Sequence, residues 1–198
     1  VFIRINMLKR LLVLSLIFFF QLSFGLQDFT VTKSLRFGIS GDVTLLDAAR
    51  DSSTGDLYIA GNYLGNTDLN MNSTNQAAFL AKYQWPNYTT LMWSKSFTVN
   101  TNMSSPDTVN SIALDSNGNI VSVGTYQKSL SFDGQQIYTN ATQGGFIVQY
   151  SRYGTYLWSR SFGTKGVNVA TAVAVGADDS IYVTGRFQGP ANFGGGSI

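Results

Sequence analysis

The stretch that decides the fold is residues 111–126, which read SIALDSNGNIVSVGTY. A short apolar run ends at Leu114, the turn-forming letters DSNGN follow, and a second apolar run extends from Ile120 to Tyr126. β-Branched and aromatic residues favour strands, and Asn-Gly favours the tight turn of a hairpin. The pattern therefore predicts two antiparallel strands, A and B, joined by a turn at residues 115–119.

The same pattern occurs on both sides of this stretch. Residues 48–63 read AARDSSTGDLYIAGNY, and residues 171–187 read TAVAVGADDSIYVTGRF. The first two copies continue with two more short runs each, AAFLAKY then LMWSKSF, and GGFIVQY then YLWSRSF, which predict strands C and D. Landmark residues recur at corresponding places in the copies: Gly61, Gly124, Gly185, Trp93, Trp158, Phe97 and Phe162.

Four antiparallel strands in each repeat of roughly 60 residues are typical of β-propeller blades. The sequence therefore predicts an all-β repeat region over residues 26–198, with blades at about 43–97, 109–162 and 169–198. Residues 34–38 (SLRFG) match the end of strand D, so an orphan outer strand is expected at 30–38. Two and a half blades are fewer than the roughly four to eight of a closed ring, so we expect further blades downstream.

These strings resemble the SBBP type of β-propeller repeat. The residues that carry the likeness are the A–B hairpins, ANFGGGSI near residue 198, and the Leu-Met-Trp-Ser and Tyr-Leu-Trp-Ser segments of strand D. The resemblance covers about residues 34–198 and implies an exported or cell-surface protein without an assigned reaction. The second repeat departs from the pattern, because it has Ser131-Phe-Asp-Gly where Phe-Gly-Gly-Gly is usual. Gly154 and Trp158 are also similar to a segment of quinoprotein repeats, which implies that the Trp158 indole packs between blades.

Composition excludes several classes of function. Charged residues are 12% and aromatic residues 14% of the chain, and both Cys and His are absent. Disulfides, thiolate or histidine metal sites and histidine-based catalytic triads are therefore excluded for these residues. Removing Arg4, Lys9 and Arg10 from the 13 basic residues leaves 10 against 11 acidic ones, which is no footprint for nucleic acid.

The N-terminus has the pattern of an export signal. Lys9 and Arg10 precede an apolar run over residues 11–20, and small residues follow at Ser23 and Gly25. The run is about half the roughly 20 residues that a transmembrane helix needs. We expect residues 1–25 to be a signal peptide, with 1–6 upstream of its start, a secreted or cell-surface protein, and no transmembrane segment in the mature region.

No catalytic, cofactor-binding or metal-binding residue is predicted. Residues 115–119 (DSNGN) resemble the start of a calcium loop, but the acidic ligand that would complete it is absent, so a hairpin turn is favoured. The 11 acidic residues are all aspartates and mostly lie in turn-like segments, where aspartate stabilises the backbone.

Possible N-glycosylation sites are Asn72, Asn87, Asn102 and Asn140. Three of them fall in long connections, at 62–76, 98–109 and 125–144, which propeller topology places on one face. Exposed connections on a rigid scaffold often carry recognition. We therefore expect an exported, non-enzymatic module whose long-connection face contacts a protein or carbohydrate. The alternatives are a propeller enzyme, glycoside hydrolase-like or quinoprotein-like, with its site in other blades, and a structural surface-layer protein.

Overall fold

All regular structure in the described part of the chain is β-strand. The computed structural model describes residues 42–97 and 107–188. These two ranges form twelve strands and no helix. The all-β prediction is therefore confirmed.

The first blade is a four-stranded antiparallel sheet in chain order. Its strands are β1 (Asp42–Arg50), β2 (Leu57–Asn66), β3 (Asn72–Tyr83) and β4 (Leu91–Phe97). Each strand pairs with the next, so β1 and β4 are the two edges. These strands are the predicted A, B, C and D.

The second blade repeats this arrangement and carries an extra hairpin. Strands A to D are β5 (Thr108–Leu114), β6 (Ile120–Tyr126), β9 (Gly144–Tyr150) and β10 (Tyr156–Phe162). Between B and C lies a separate two-stranded sheet, β7 (Ser129–Phe132) and β8 (Gln135–Tyr138). The blade of four antiparallel strands is confirmed in both repeats.

The third sheet has two strands within the described residues. β11 (Val169–Val175) and β12 (Ile181–Arg186) pair as strands A and B. Residues 1–25, the expected outer strand at 30–38 and the segment from 189 to 198 lie outside the described residues. In residues 42–97 and 107–188, no helix is long and apolar enough to cross a bilayer.

A β-bulge in every strand A explains the landmark glycines. The register between strands A and B shifts at Leu45/Asp47, at Val109/Ser111 and at Ala170/Ala172. Beside each shift, a backbone carbonyl of strand A lies directly against the facing glycine, where a side chain would begin. A Cβ at Gly61 would lie 1.9 Å from Thr44 O, one at Gly124 1.8 Å from Thr108 O, and one at Gly185 2.1 Å from Val169 O. Only glycine fits opposite the bulge.

The first and second blades bury one shared apolar core. Phe97, a landmark at the end of strand D, is 1% exposed and lies against Phe132 and Tyr150 of the second blade. Trp93 packs edge-on against Tyr58 and touches Gly154 of the second blade. The cluster takes further side chains from both sheets: Ala60, Ala78, Leu80, Val109, Ile112, Ile120, Tyr126, Leu130, Phe146 and Val148.

A second core joins the second and third sheets. Phe162, the counterpart of Phe97, packs edge-on against Phe187 at 5.5 Å between ring centroids. Trp158 lies against the same cluster, between the two sheets. The remaining members are Val121, Val123, Ile147, Ala170, Val173, Val175, Ile181 and Val183. The blades therefore stack face to face, with apolar alternate residues meeting between them.

Two of the predicted long loops are ordered hairpin extensions, so that part of the prediction is wrong. β2 continues to Asn66 and β3 begins at Asn72, which reduces the connection at 62–76 to the five residues 67–71. The connection at 125–144 contains the β7–β8 hairpin. In the first case Ser94 Oγ donates to Leu69 O at 2.7 Å, and in the second Lys95 Nζ donates to Asp133 Oδ2 at 2.7 Å. Both extensions are held by strand D of the first blade.

Candidate interaction surface

The A–B and C–D turns lie at one end of the strands, and we call this end the short-turn face. The A–B turn of the second blade is an Asx turn, because Asp115 Oδ1 accepts from the backbone N–H groups of Asn117 and Asn119. Gly118 adopts a φ of 74° within it. The carboxylate oxygens are used within the blade, since Oδ2 accepts from Asn119 Nδ2 and Gln149 Nε2. The hairpin interpretation of residues 115–119 is therefore confirmed.

Arg152 connects the first two blades on the short-turn face. Its guanidinium donates to Asp51 Oδ2 at 2.9 Å, and Asp51 is 4% exposed. Its main-chain carbonyl accepts from Lys82 Nζ and from Trp93 Nε1, both at 3.2 Å. Tyr58 adds a fourth link by donating to Gly118 O at 2.9 Å. The turns of adjacent blades are thus fixed relative to each other.

Hydrogen bonds and a neighbouring cation lower the pKa of two aspartates at the A–B turn of the first blade, Asp51 and Asp56. Burial by itself raises the pKa of Asp51, but hydrogen bonds from Ser53 and Thr54 outweigh it and lower the pKa to about 2. Burial likewise opposes ionisation of Asp56, while the backbone N–H of Trp85 and the Lys82 ammonium lower its pKa. Lys82 Nζ lies 3.1 Å from Asp56 Oδ2, with both side chains largely buried. These charges stabilise the turns.

Two exposed aromatic side chains occupy the C–D turns of the complete blades. Trp85 in the first turn is 46% exposed, and Tyr153 in the second is 80% exposed. Trp85 is held by the Asp56 carboxylate, which accepts from its backbone N–H, by Arg50 over its ring at 4.9 Å and by Tyr88 at 5.3 Å. Large apolar groups are thus presented to solvent from ordered turns.

Strand D adds an exposed aliphatic side chain next to each aromatic turn. The register between strands C and D shifts so that Met92 in the first blade and Leu157 in the second are the extra residues of β-bulges. They are 47% and 44% exposed. We call Trp85, Met92, Tyr153 and Leu157 the short-turn surface.

A cleft lies beside this surface, between the A–B turns of the first two blades. It has a volume of about 330 Å³ and is lined by Arg50, Asp51, Ser53, Asp115 and Ser116 among others. Within the described ranges, no three acidic side chains are grouped so that they could hold a metal ion. The lining includes both positively and negatively charged side chains that can form hydrogen bonds.

The predicted glycosylation sites are spread over both ends of the blades. Asn72 begins β3 and Asn140 follows β8, and both are exposed at the end opposite the short-turn face. Asn87 is exposed in the C–D turn two residues after Trp85. Asn102 lies outside the described residues.

The sequence patterns did not predict the short-turn surface. An alignment of the repeats does show an aromatic residue in each of the two C–D turns, Trp85 and Tyr153.

Comparison with known proteins supports the repeat architecture. No family model matches the chain. The chain is 36% identical over 92 residues to an uncharacterized WD repeat-containing protein of Acanthamoeba polyphaga mimivirus. The chain is a β-propeller-like repeat protein. The match covers 42% of this chain and 7% of the viral protein, so the β-propeller-like chain spans a small part of its relative.

Proposed function

We propose that this β-propeller-like chain is a protein-interaction module that binds its partner through the short-turn surface. The likeness to a WD repeat-containing protein supports a role for the repeats in interaction. The stacked blades provide a rigid support, because two apolar cores and the Arg152 links join them. The partner is expected to be a protein that offers an apolar segment to the two turns.

The observation that carries this proposal is the pair of exposed aromatic residues in equivalent turns. Tyr and Trp are enriched in the cores of protein interfaces, where they contribute large contact areas at a small entropy cost. Arg50 and Tyr88 pack against the Trp85 ring, so its loss of freedom on binding would be small, and the Tyr153 backbone N–H donates to Ser151 Oγ within its turn. The ion pair from Arg152 to Asp51 ties the turn of Tyr153 to the blade that carries Trp85.

Selection of peptides on the immobilised chain tests the proposal. Peptides from a displayed random library should be enriched, and calorimetry should show at least tenfold weaker binding to the double variant Trp85→Ala, Tyr153→Ala. The matched control is Tyr138→Ala, an exposed aromatic at the opposite end, which should leave affinity unchanged. Equal binding to all three proteins contradicts the proposed surface, and loss of binding only in the control would favour the long-connection face.

We further propose that the protein is exported and that its repeats are of the SBBP type. The basic start, short apolar run and small residues of positions 7–25 support export, and the strings of both hairpins support the repeat type. Mass spectrometry of the protein from its native cells tests export. The expected result is a mature N-terminus close to residue 26. Recovery of peptides from residues 7–25 in the mature protein contradicts export.

A further inference from the structure

Two equivalent positions precede strand A in the second and third sheets. Asp107 comes before β5 and Asn168 comes before β11, and they are 6% and 0% exposed. Each side chain accepts a hydrogen bond from the backbone N–H of the residue that follows the aromatic residue at or just after the end of strand B, Tyr126 or Phe187. Gln127 N donates to Asp107 Oδ1 at 3.0 Å, and Gln188 N donates to Asn168 Oδ1 at 3.0 Å. The two side chains therefore hold the same place in successive repeats.

The second side-chain atom distinguishes the two positions. Asn168 Nδ2 donates to the carbonyl oxygens of Gln143 at 3.1 Å and Lys165 at 2.9 Å. These bonds tie the third sheet to the residue just before strand C of the second blade and to the connection between the blades. Asp107 has an oxygen where Asn168 has its amide nitrogen, and a carboxylate oxygen accepts but does not donate. Donation from Asp107 therefore requires a proton on Oδ2.

The surroundings of Asp107 favour that proton. Burial raises the pKa of Asp107 to about 7, and the hydrogen bond from Gln127 N offsets only part of the effect. Tyr126 faces it from the end of β6 and is neutral at this pH, since burial raises the pKa of its phenol. Lys128 follows Gln127 in the sequence, and Lys95 on β4 is paired with Asp133. In residues 42–97 and 107–188 the ion pairs are Lys82–Asp56, Lys95–Asp133 and Arg152–Asp51, and none includes Asp107.

We propose that Asp107 is a proton-operated counterpart of Asn168 at the junction of the first and second blades. When protonated, its Oδ2–H donates to a main-chain carbonyl as the Asn168 amide does; when ionised, it loses that bond and leaves a buried charge. The position corresponding to Gln143 in the first blade is Gln76, because Ala77 pairs with Tyr63 as Gly144 pairs with Tyr126. The carbonyl of Gln76 is therefore the expected acceptor.

The sign of the pH effect follows from the direction of the shift. A carboxyl with a higher pKa in the folded chain than in the unfolded chain stabilises the fold fully below the unfolded value of 3.8. That contribution is lost as the pH rises through about 7. The chain has no His, Cys or Glu, whose ordinary pKa values would confuse this window. The junction should therefore tighten in mildly acidic surroundings and loosen above neutral pH.

Denaturant unfolding of the full chain between pH 5 and pH 8 tests the proposal with two reciprocal variants. In the wild-type chain the unfolding equilibrium constant should rise by up to about tenfold per pH unit from pH 5 to pH 7. Asp107→Asn should remove this slope and leave the chain more stable than wild type at pH 8. Asn168→Asp should add a second slope of the same sign.

A direct titration separates the proposal from a failure of either variant to fold. Carbon-detected NMR of the wild-type chain follows the side-chain carboxyl of Asp107 itself. A midpoint near pH 7, accompanied by faster amide exchange at Gln127 above it, is the expected result. A midpoint near 4, or a slope that persists unchanged in Asp107→Asn, overturns the proposal.

Discussion

At the scale of single residues, the close approach opposite each strand-A bulge explains a feature that the sequence shows only as a recurring letter. Gly124 is required because the carbonyl of Thr108 and the ring of Phe146 occupy the space of a side chain. Gly134, in contrast, has nothing within 4 Å of a Cβ and is present for its φ of 89°. Gly124 is therefore required because no space is left for a side chain, and Gly134 because of its backbone conformation.

Gly124→Ala should destabilise the chain far more than Gly134→Ala. The first change places a Cβ 1.8 Å from a main-chain oxygen and forces strands A and B apart, at a cost of about 3 kcal/mol or more. The second costs about 1 kcal/mol through the left-handed backbone alone. Urea unfolding of both variants measures the difference, and similar midpoints would contradict the close approach.

Arg152→Ala should weaken the junction between the first two blades. The change leaves Asp51, whose side chain is 5% exposed, as a buried carboxylate without its guanidinium partner. We expect a loss of about 1–3 kcal/mol in the free energy of unfolding. Arg160→Ala is the control, because the Arg160 guanidinium donates only to the adjacent Ser159 O among its described contacts. In a double-mutant cycle with Asp51→Asn, additive losses would show that the pair does not couple the blades.

At the scale of elements, the sequence predicts the strands better than their irregularities. The strands of the second blade agree with the predicted runs because β-branched and aromatic residues alternate with turn residues there. The bulges at Leu46 and Met92 leave no mark in composition, since any residue can be the extra one. The β7–β8 hairpin was missed, although Asp133-Gly134, with φ values of 50° and 89°, is a strong hairpin signal.

The candidate surface was less accessible to sequence reasoning than the fold. Length draws attention to the connections at 62–76 and 125–144, but most of these residues are paired in strands. Exposure of Trp85 and partial burial of Trp93, eight positions later, depend on where the second blade lies. The position of the second blade is a property of the tertiary structure, so a sequence pattern alone does not distinguish a tryptophan packed against the core from a surface one.

Phe132→Ala should show that the β7–β8 hairpin is part of the core. Phe132 is fully buried and lies 5.1 Å from Phe97 and 5.4 Å from Phe146, measured between ring centroids. Its loss should cost about 3–5 kcal/mol, because truncation leaves a cavity between two blades. Tyr138→Ala on the same hairpin should cost under about 0.5 kcal/mol, since Tyr138 is 67% exposed. Equal thermal midpoints for the two variants would indicate that the hairpin is not docked.

At the scale of the whole molecule, the same contacts link successive repeats. Asp47 Oδ2 accepts from Ile112 N in the second blade, and its counterpart Ser111 Oγ accepts from Val173 N in the third. On the short-turn face, Ser116 donates to Asp179 through both its backbone N–H and its hydroxyl. Each repeat therefore contacts its neighbour in one register, and stability should depend on these nearest-neighbour interfaces.

Stacking in one register is the central claim, and a disulfide between neighbouring turns tests it most directly. The chain has no cysteine, so the double variant Ser116→Cys, Asp179→Cys forms a bridge only if the two turns meet. The side chains are 2.7 Å apart at their closest polar atoms, and both are solvent-facing. Under mild oxidation we predict a rapid intramolecular disulfide, seen as a mass loss and a peptide link across 63 residues. The pair Ser116→Cys, Tyr138→Cys, on opposite ends of the blades, should stay reduced. Free thiols in the first variant, or bridging in both variants alike, would contradict the stacked arrangement.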